Sequence, residues 1–249
     1  MFIDTHCHLF KDYYEDMDNI ICKIKNRGII ALINNGCDSK TNQEVLSLLD
    51  KYDFMYGAIG IHPDYADNYN EDDLKYIMDN IGVEKIVAIG EIGLDYHYDN
   101  FSKEKQITLF KAQLKIAEKN NLPVIIHMRE ATNDVLNTLK EYRVKGVIHC
   151  FTGSVETANI LIKMGFFLGI NGVVTFKNCN LINTIKEIGI DHIVLETDAP
   201  YLTPVPFRSE KNDSSHVADT ANFIANSLGI DVKKLADITT NNAKSLFDI

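Results

Sequence analysis

The chain has 249 residues, of which 45% are hydrophobic and 24% charged, and its formal net charge is −10. These proportions are ordinary for a globular protein, and the length allows a large core to be buried without a disulfide staple. The excess of acidic residues argues against a protein that binds duplex nucleic acid through a broad basic surface. No apolar stretch approaches the roughly 20 residues needed to span a bilayer.

The cysteines and the first residues predict a cellular location. The five cysteines are odd in number and irregularly spaced, which argues against a disulfide framework and favours a reducing cytoplasm. An apolar strand-like segment begins at Phe2, so we expect no signal peptide. No linker or low-complexity tract divides residues 1–249, so we expect a single domain. From the cysteines and the apolar stretches we expect a cytoplasmic protein that is not associated with a membrane.

Short apolar runs alternate with helical patterns along the whole chain. One helical pattern places Ile107, Phe110, Leu114 and Ala117 at spacings of three and four. Such alternation predicts right-handed βαβ units and a parallel sheet. Eight repeats predict an α/β fold, a single (β/α)8 TIM barrel with its site at the C-terminal ends of the strands. We predict strands at 2–6, 29–34, 55–61, 85–90, 124–128, 146–149, 166–170 and 193–197.

Five of these predicted strands end in residue types that bind divalent metals. Imidazole nitrogens and carboxylate oxygens are common metal ligands, and one coincidence of this kind would mean little. Four histidines and two acids at equivalent strand ends predict a two-metal hydrolytic site. The six candidate ligands are His6, His8, Glu91, His127, His149 and Asp198.

The first strand carries two of the candidate ligands. Side chains alternate along a strand, so His6 and His8 face the same side and can share a metal, whereas Cys7 faces the opposite side. The competing interpretation is that both histidines belong to a polar loop.

The other candidate ligands differ in the roles their chemistry permits. A carboxylate such as Glu91 can bridge two cations, which a histidine cannot. His127 and His149 can provide ligands for a second metal. Asp198 can ligate the first metal and also accept a proton from water. Glu196 has the same facing as Asp198 and is equally compatible with a buried structural role.

The remaining histidines receive weaker predictions. His62 follows the third predicted strand, and we favour an electrophile or phosphate partner over a metal ligand. His192 precedes a strand and is expected to be structural. His97, in a tyrosine-rich loop, and His216, at the start of a helix, are expected to be surface residues.

The order of these motifs resembles the TatD family of metal-dependent hydrolases. The resemblance covers residues 4 to 202, nearly the whole chain. It rests on the segments Asp4-Thr5-His6-Cys7-His8-Leu9, Gly60-Ile61-His62-Pro63, Gly90-Glu91-Ile92-Gly93-Leu94-Asp95-Tyr96, His127-Met128-Arg129-Glu130-Ala131, His149-Cys150-Phe151-Thr152-Gly153 and Glu196-Thr197-Asp198-Ala199-Pro200-Tyr201-Leu202.

The resemblance implies an amidohydrolase-type barrel with divalent-metal-dependent DNase activity, typically 3′–5′ exonuclease action. It implies that one metal is held by His6, His8, Glu91 and Asp198, and the other by Glu91, His127 and His149. The chain departs from the family after Pro204, where a basic Arg-Gly-Lys-Arg-Asn-Glu-Pro run is usual. Only Arg208 and Asn212 match that run within 208–216, so the substrate preference is less specified than the metal site.

These observations favour a two-metal phosphodiesterase. Asp198 is expected to act as general base and Glu91 as the bridge, while His62, Arg129 or Arg208 meet phosphate oxygens. Arg129 is equally compatible with a structural salt bridge. A guanidinium such as that of Arg208 matches a phosphate bidentately.

Cofactor, partner and rival functions follow from the same residues. The ligand types suit Zn, Mn, Co, Fe or Ni, and the family implies Mg, so two divalent cations of open identity are expected. The expected substrate is nucleic acid, with single-stranded DNA ends favoured, and no obligate protein partner is evident. One alternative is a hydrolase of another bond, such as an aminoacyl-tRNA ester, amide or lactone. A binding protein without catalysis is the other, which the complete ligand set disfavours.

Overall fold

A computed structural model describes residues 1–98 and 102–249 of the chain. Strands and helices alternate, the sheet order is β1 to β8, and the described strand pairs run parallel. This is the order of a (β/α)8 barrel, so the predicted fold class is confirmed. The strands are β1 (Phe2–Cys7), β2 (Ile29–Asn35), β3 (Met55–Ile59), β4 (Ile86–Asp95), β5 (Val124–Arg129), β6 (Gly146–Ile148), β7 (Phe166–Ile170) and β8 (Ile193–Leu195).

Helices follow the strands, and several begin at side-chain caps that the sequence supplies. Asp38 and Asn70 form capping boxes, which satisfy the first free N–H groups of the helices they precede. Within the residues that the structure describes, short 3₁₀ helices cover Pro63–Tyr65, Gly172–Thr175 and Ser214–His216. The α-helices of the described ranges are α1 (Met17–Asn26), α2 (Ser39–Lys51), α3 (Glu71–Asn80), α4 (Lys103–Asn120), α5 (Thr132–Leu139), α6 (Val155–Lys163), α7 (Leu181–Ile188), α8 (Val217–Leu228) and α9 (Val232–Phe247).

The chain divides into two compact units. The first unit comprises residues 1–34 and 150–249, and the second comprises residues 35–149. In the first unit the last five residues of β1 are buried, and in the second all ten residues of β4 are buried. Strands buried on both sides are expected for a parallel sheet. No helix within the described ranges is both long enough and apolar enough to span a bilayer.

The end of β4 lies five residues beyond the prediction, β3 and β8 end two residues early, and the other strand boundaries lie within one residue of it. β4 continues to Asp95 because its pairing with β5 extends through the register Gly93↔His127 and Asp95↔Arg129. The apolar run had suggested an end at residue 90, where polar Glu91 interrupts it. Beyond Leu195 the N–H of Glu196 still donates to the carbonyl of Ile170 in β7 (3.1 Å), but the N–H of Thr197 turns away from β7 to the Asp4 carboxylate (3.0 Å), and β8 ends.

Candidate metal centre

The first ligand group lies in the first unit and consists of His6, His8 and Asp198. The two histidines alternate on β1 around Cys7, and their Nε2 atoms are 3.1 Å apart. Asp198 Oδ1 is 3.5 Å from each of these nitrogens. All three side chains are largely shielded, with exposed fractions of 0%, 8% and 14%. The structure therefore brings together three residues that the sequence had predicted as ligands of one metal.

Buried Asp4 fixes the segment that carries Asp198. Its Oδ1 accepts from the backbone N–H of Thr197 (3.0 Å), and its Oδ2 accepts from the hydroxyl of that residue (2.6 Å). Complete burial raises the pKa of Asp4 to about 7, although hydrogen bonds from Ser214 and Thr197 oppose the rise. Next to this anchor Asp198 has a φ of +58°, and the N–H of His8 donates to the carbonyl of Ala199 (2.7 Å).

The second ligand group lies in the second unit and consists of Glu91, His127 and His149. Glu91 Oε1 is 2.9 Å from His127 Nδ1 and 3.0 Å from His149 Nε2. These two nitrogens are 3.3 Å apart, and the Glu91 side chain is 4% exposed. The group is built from β4, the C-terminal half of β5 and the residue that follows β6.

Asp95 orients His127, a role that the sequence interpretation missed. Its Oδ2 lies 2.9 Å from His127 Nε2. The side-chain amide of Gln106 accepts from the backbone N–H of Asp95 and donates to its backbone carbonyl. Burial alone would raise the pKa of Asp95, but the hydrogen bonds from His127 and from the N–H of His97 lower it overall. The signal that could have found Asp95 was period-two spacing, since residues 91, 93 and 95 share one side of an extended strand.

His127 is poised between two carboxylates. Burial acts to lower its pKa, but hydrogen bonds with Asp95 and Glu91 raise it overall. Nε2 lies 2.9 Å from Asp95 Oδ2, while Nδ1 lies 2.9 Å from Glu91 Oε1 and 3.3 Å from His149 Nε2. A carboxylate behind a ligating imidazole is the arrangement that fixes its tautomer at metal sites.

Both groups fit a divalent cation by donor type and by spacing. Ligand atoms held about 2.1 Å from one ion lie roughly 3.0–3.4 Å from one another in octahedral or tetrahedral geometry. The atoms of the first group are separated by 3.1, 3.5 and 3.5 Å, and those of the second by 2.9, 3.0 and 3.3 Å. Each group also joins two imidazoles to one carboxylate, a donor set suited to zinc, manganese, iron, cobalt or nickel.

His62 lies beside the second ligand group, as predicted. It precedes the 3₁₀ helix Pro63–Tyr65, and its Nε2 is 3.7 Å from Glu91 Oε1. Its ring is edge-on to that of His127 at 4.5 Å. The ligand atoms of His62, Glu91 and His127 lie within 4.8 Å of one another, so the geometry also permits His62 to bind a metal. Its assignment as an electrophile or phosphate partner stays a prediction.

The two candidate phosphate-binding arginines have structural partners. Arg129 ends β5 with Nη1 3.8 Å from Asp95 Oδ2, and its guanidinium lies over the Tyr98 ring at 5.4 Å. Arg208 donates to the carbonyl of Thr203 (3.1 Å) and lies 3.9 Å over the Phe176 ring. Arg208 is nevertheless exposed, and the Arg129 side chain is 43% exposed. Both guanidiniums can therefore be reached from solvent, and their role with phosphate stays a prediction.

Other side chains have mainly structural contacts. Glu196 is fully buried and accepts hydrogen bonds from the N–H of Cys150 (2.6 Å) and from the side chain of Asn171 (3.2 Å). The Cys7 thiol is directed at the carbonyl of Ile33.

The prediction that His216 is a surface residue was wrong, because this residue is 4% exposed. Its Nδ1 is 2.8 Å from Asp219 and its ring packs on Phe207. A residue that starts a helix looks exposed in sequence, and only tertiary packing reveals the burial.

Comparisons with known proteins identify the family of the chain and agree with the barrel fold. Residues 3–248 match the family described as TatD related DNase. The chain is 43% identical to the uncharacterized metal-dependent hydrolase YabD of Bacillus subtilis, with both proteins covered completely. It is 30% identical to the 3′-5′ ssDNA/RNA exonuclease TatD of Shigella flexneri, with 95% of each covered. The crystal structure of YjjV, a TatD homolog from Escherichia coli, superposes with a TM-score of 0.95 at 28% identity, covering 100% of this chain and 98% of that one.

Proposed function

The chain belongs to the TatD related DNase family and is a metal-dependent hydrolase, and we propose that it cleaves phosphodiester bonds at the ends of single-stranded nucleic acid. The observation that carries the proposal is the pair of ligand groups, each with two imidazoles and one carboxylate at metal-binding separations. The name of the Shigella flexneri relative, an exonuclease of single-stranded DNA and RNA, supports this choice of substrate.

We propose that the two groups hold two ions and that Glu91 bridges them. In a (β/α)8 barrel the C-terminal ends of the strands form one face, which is where both sets of ligands arise in the chain. Only a carboxylate among these ligands has two oxygens for two cations. When bound, divalent cations supply Lewis-acid activation of water and of the phosphoryl oxygens.

We propose a separate role for each of the other residues at the site. Asp198 is proposed to accept the proton of the attacking water, since its carboxylate is partly accessible and is positioned through Thr197 and Asp4. Asp95 would keep Nδ1 of His127 free of a proton by taking the hydrogen of Nε2. His62 and the exposed guanidiniums of Arg129 and Arg208 would meet non-bridging phosphate oxygens.

A second candidate function is hydrolysis of another bond, such as an aminoacyl-tRNA ester, amide or lactone. The formal net charge of −10 mildly favours the small substrates of this class, because a long polyanion would be repelled by an acidic surface. The same ligand groups can polarise a carbonyl as well as a phosphoryl group.

We further propose a cytoplasmic location, because an odd, irregular set of cysteines fits a reducing compartment.

A substrate panel separates the two candidates. The protein is stripped with chelator, reloaded with Mg, Mn, Zn or Co, and given end-labelled single-stranded DNA, duplex DNA, RNA and simple carboxylic esters. We expect progressive shortening of single strands, while Asp198→Asn, with metal content verified, loses turnover by roughly 100-fold or more. Inactivity on every nucleic acid with rapid ester hydrolysis would overturn the proposal in favour of the second candidate.

A further inference from the structure

A half-exposed aromatic ring adjoins the first ligand group. Tyr201 is 51% exposed, and its ring lies 6.4 Å from that of His8 at an interplanar angle of 63°. Its N–H donates to the carbonyl of Asp198 (2.9 Å), which is three residues earlier. A ligand placed at the metals through its phosphate would therefore have this ring beside it.

The same ring is held firmly in place. The hydroxyls of Tyr201 and Tyr13 are 3.1 Å apart, and their rings contact edge-on at 6.1 Å. The carbonyl of Tyr201 accepts from the side chain of buried Asn212 (2.5 Å), which also donates to the carbonyl of Thr197 (3.0 Å). Since the backbone and the hydroxyl are both fixed, little conformational entropy remains to be lost when something packs on the exposed face.

A cation contacts the segment that carries Tyr13, the residue whose ring and hydroxyl meet those of Tyr201. Exposed Lys211 donates from Nζ to the carbonyl of Tyr13 (2.5 Å) and lies 5.6 Å from the centre of the Tyr14 ring. A pre-ordered aromatic face next to a positive charge is the combination that binds single-stranded nucleic acid, since bases stack on the ring and phosphates pair with the cation. A simple ester, amide or lactone without a nucleobase would have no need of this combination.

We infer that Tyr201 is the stacking platform for the nucleobase next to the scissile phosphate. The inference rests on the proposed function and adds to it the part of the substrate that is recognised. A base in a duplex is already stacked and paired, so it would have to leave the helix to reach Tyr201. Selectivity for single strands therefore follows from this contact, independently of the long-range charge of the protein.

The test combines protein variants with abasic substrates. Metal-loaded wild type, Tyr201→Ala, Tyr201→Phe and the control Phe223→Ala, which removes an exposed ring from α8, are compared on single-stranded DNA. Each oligonucleotide is intact or carries one tetrahydrofuran abasic site, moved stepwise inward from the end that is cut. KM and kcat are measured separately for every pair.

At one position the abasic site should raise the KM of the wild type by about 5- to 160-fold, the range for loss of one base–aromatic stack. Tyr201→Ala should show the same rise on intact DNA and no further rise on the abasic strand. Tyr201→Phe keeps the aromatic ring but loses the hydroxyl contact with Tyr13, so its KM on intact DNA should rise modestly and should still rise further at the abasic site. Phe223→Ala should resemble the wild type. A merely structural role would instead weaken Tyr201→Ala on intact and abasic strands alike.

The outcomes separate this inference from the proposed function. If the wild type cleaves intact and abasic strands equally well at every position, the stacking inference is overturned while the nuclease stands. If no strand is cleaved under any metal, both are overturned. Should Tyr201→Ala fail to fold, Tyr201→Leu keeps the bulk without the aromatic face and is expected to give the same loss of discrimination.

Discussion

A single carboxylate decides which nitrogen of His127 faces Glu91. Asp95 Oδ2 is 2.9 Å from His127 Nε2, and the side chain of Gln106 holds the backbone of Asp95 at both polar groups. Imidazole can present either nitrogen, so a histidine ligand without such a partner loses part of its binding free energy in being oriented. Asp95 therefore acts on metal affinity through another residue.

Asp95→Asn should weaken binding of a metal by about 10-fold or more, because the charged acceptor behind His127 is lost. Isothermal titration of the stripped protein with manganese measures this affinity. The matched control is Glu130→Gln, which alters an exposed carboxylate 2.6 Å from His97 Nδ1 and should leave the affinity unchanged. Equal affinities for Asp95→Asn and the wild type would show that Asp95 does not orient the ligand.

At the scale of elements, the close approach of β4 and β5 brings Glu91 and His127 together. The strands pair in the register Gly93↔His127, and Gly93 has a φ of +146°. A Cβ at residue 93 would lie 2.0 Å from the carbonyl oxygen of His127, which is a backbone atom and cannot move aside. Only glycine meets both the backbone angle and the spacing at this position.

Gly93→Ala should therefore lower the free energy of unfolding by about 1–3 kcal/mol or more through steric overlap. Urea denaturation measures the change. Gly82→Ala is the control, because a Cβ at residue 82 would meet no atom within 4 Å beyond its chain neighbours, and the change should stay within about 0.5 kcal/mol. A Gly93→Ala protein as stable as this control would contradict the claim that the two strands require the close approach.

Strands and candidate metal ligands could be predicted from sequence because they share one local pattern, an apolar run that ends in a polar residue. Asp4 and Asp95 escaped that pattern. Asp4 precedes the end of its strand, and its role depends on Thr197, 193 residues away. Asp95 lies beyond the point at which the run seemed to stop. A residue's role cannot be predicted from local periodicity when it depends on a partner far along the chain or on the register of strand pairing.

For the whole molecule, the net charge of −10 limits how a nucleic acid can be bound. Divalent cations would offset this charge only locally, so affinity must come from a few contacts near the ligand groups rather than from a basic track. We propose Arg208 as one such contact, since this residue is exposed although its guanidinium lies over Phe176.

The logarithm of affinity for single-stranded DNA should fall with the logarithm of salt concentration at a slope of about −1.4 to −2.1, the value for two or three phosphates. Arg208→Ala should flatten this slope by about 0.7, because one phosphate contact is removed. Fluorescence anisotropy across a salt series gives both slopes. Lys75→Ala, which removes a cation paired with Asp79 on α3, is the control and should keep the wild-type slope. A steep slope that Arg208→Ala leaves unaltered would reject the contact.

The central proposal is that the two ligand groups hold two ions bridged by Glu91. Anomalous X-ray diffraction from crystals grown with excess manganese tests it directly. We predict two anomalous peaks roughly 3.5–4 Å apart, the separation of two-metal hydrolytic sites, with the Glu91 carboxylate between them. A manganese-replete crystal in which Glu91 is directed away from every ion would contradict it.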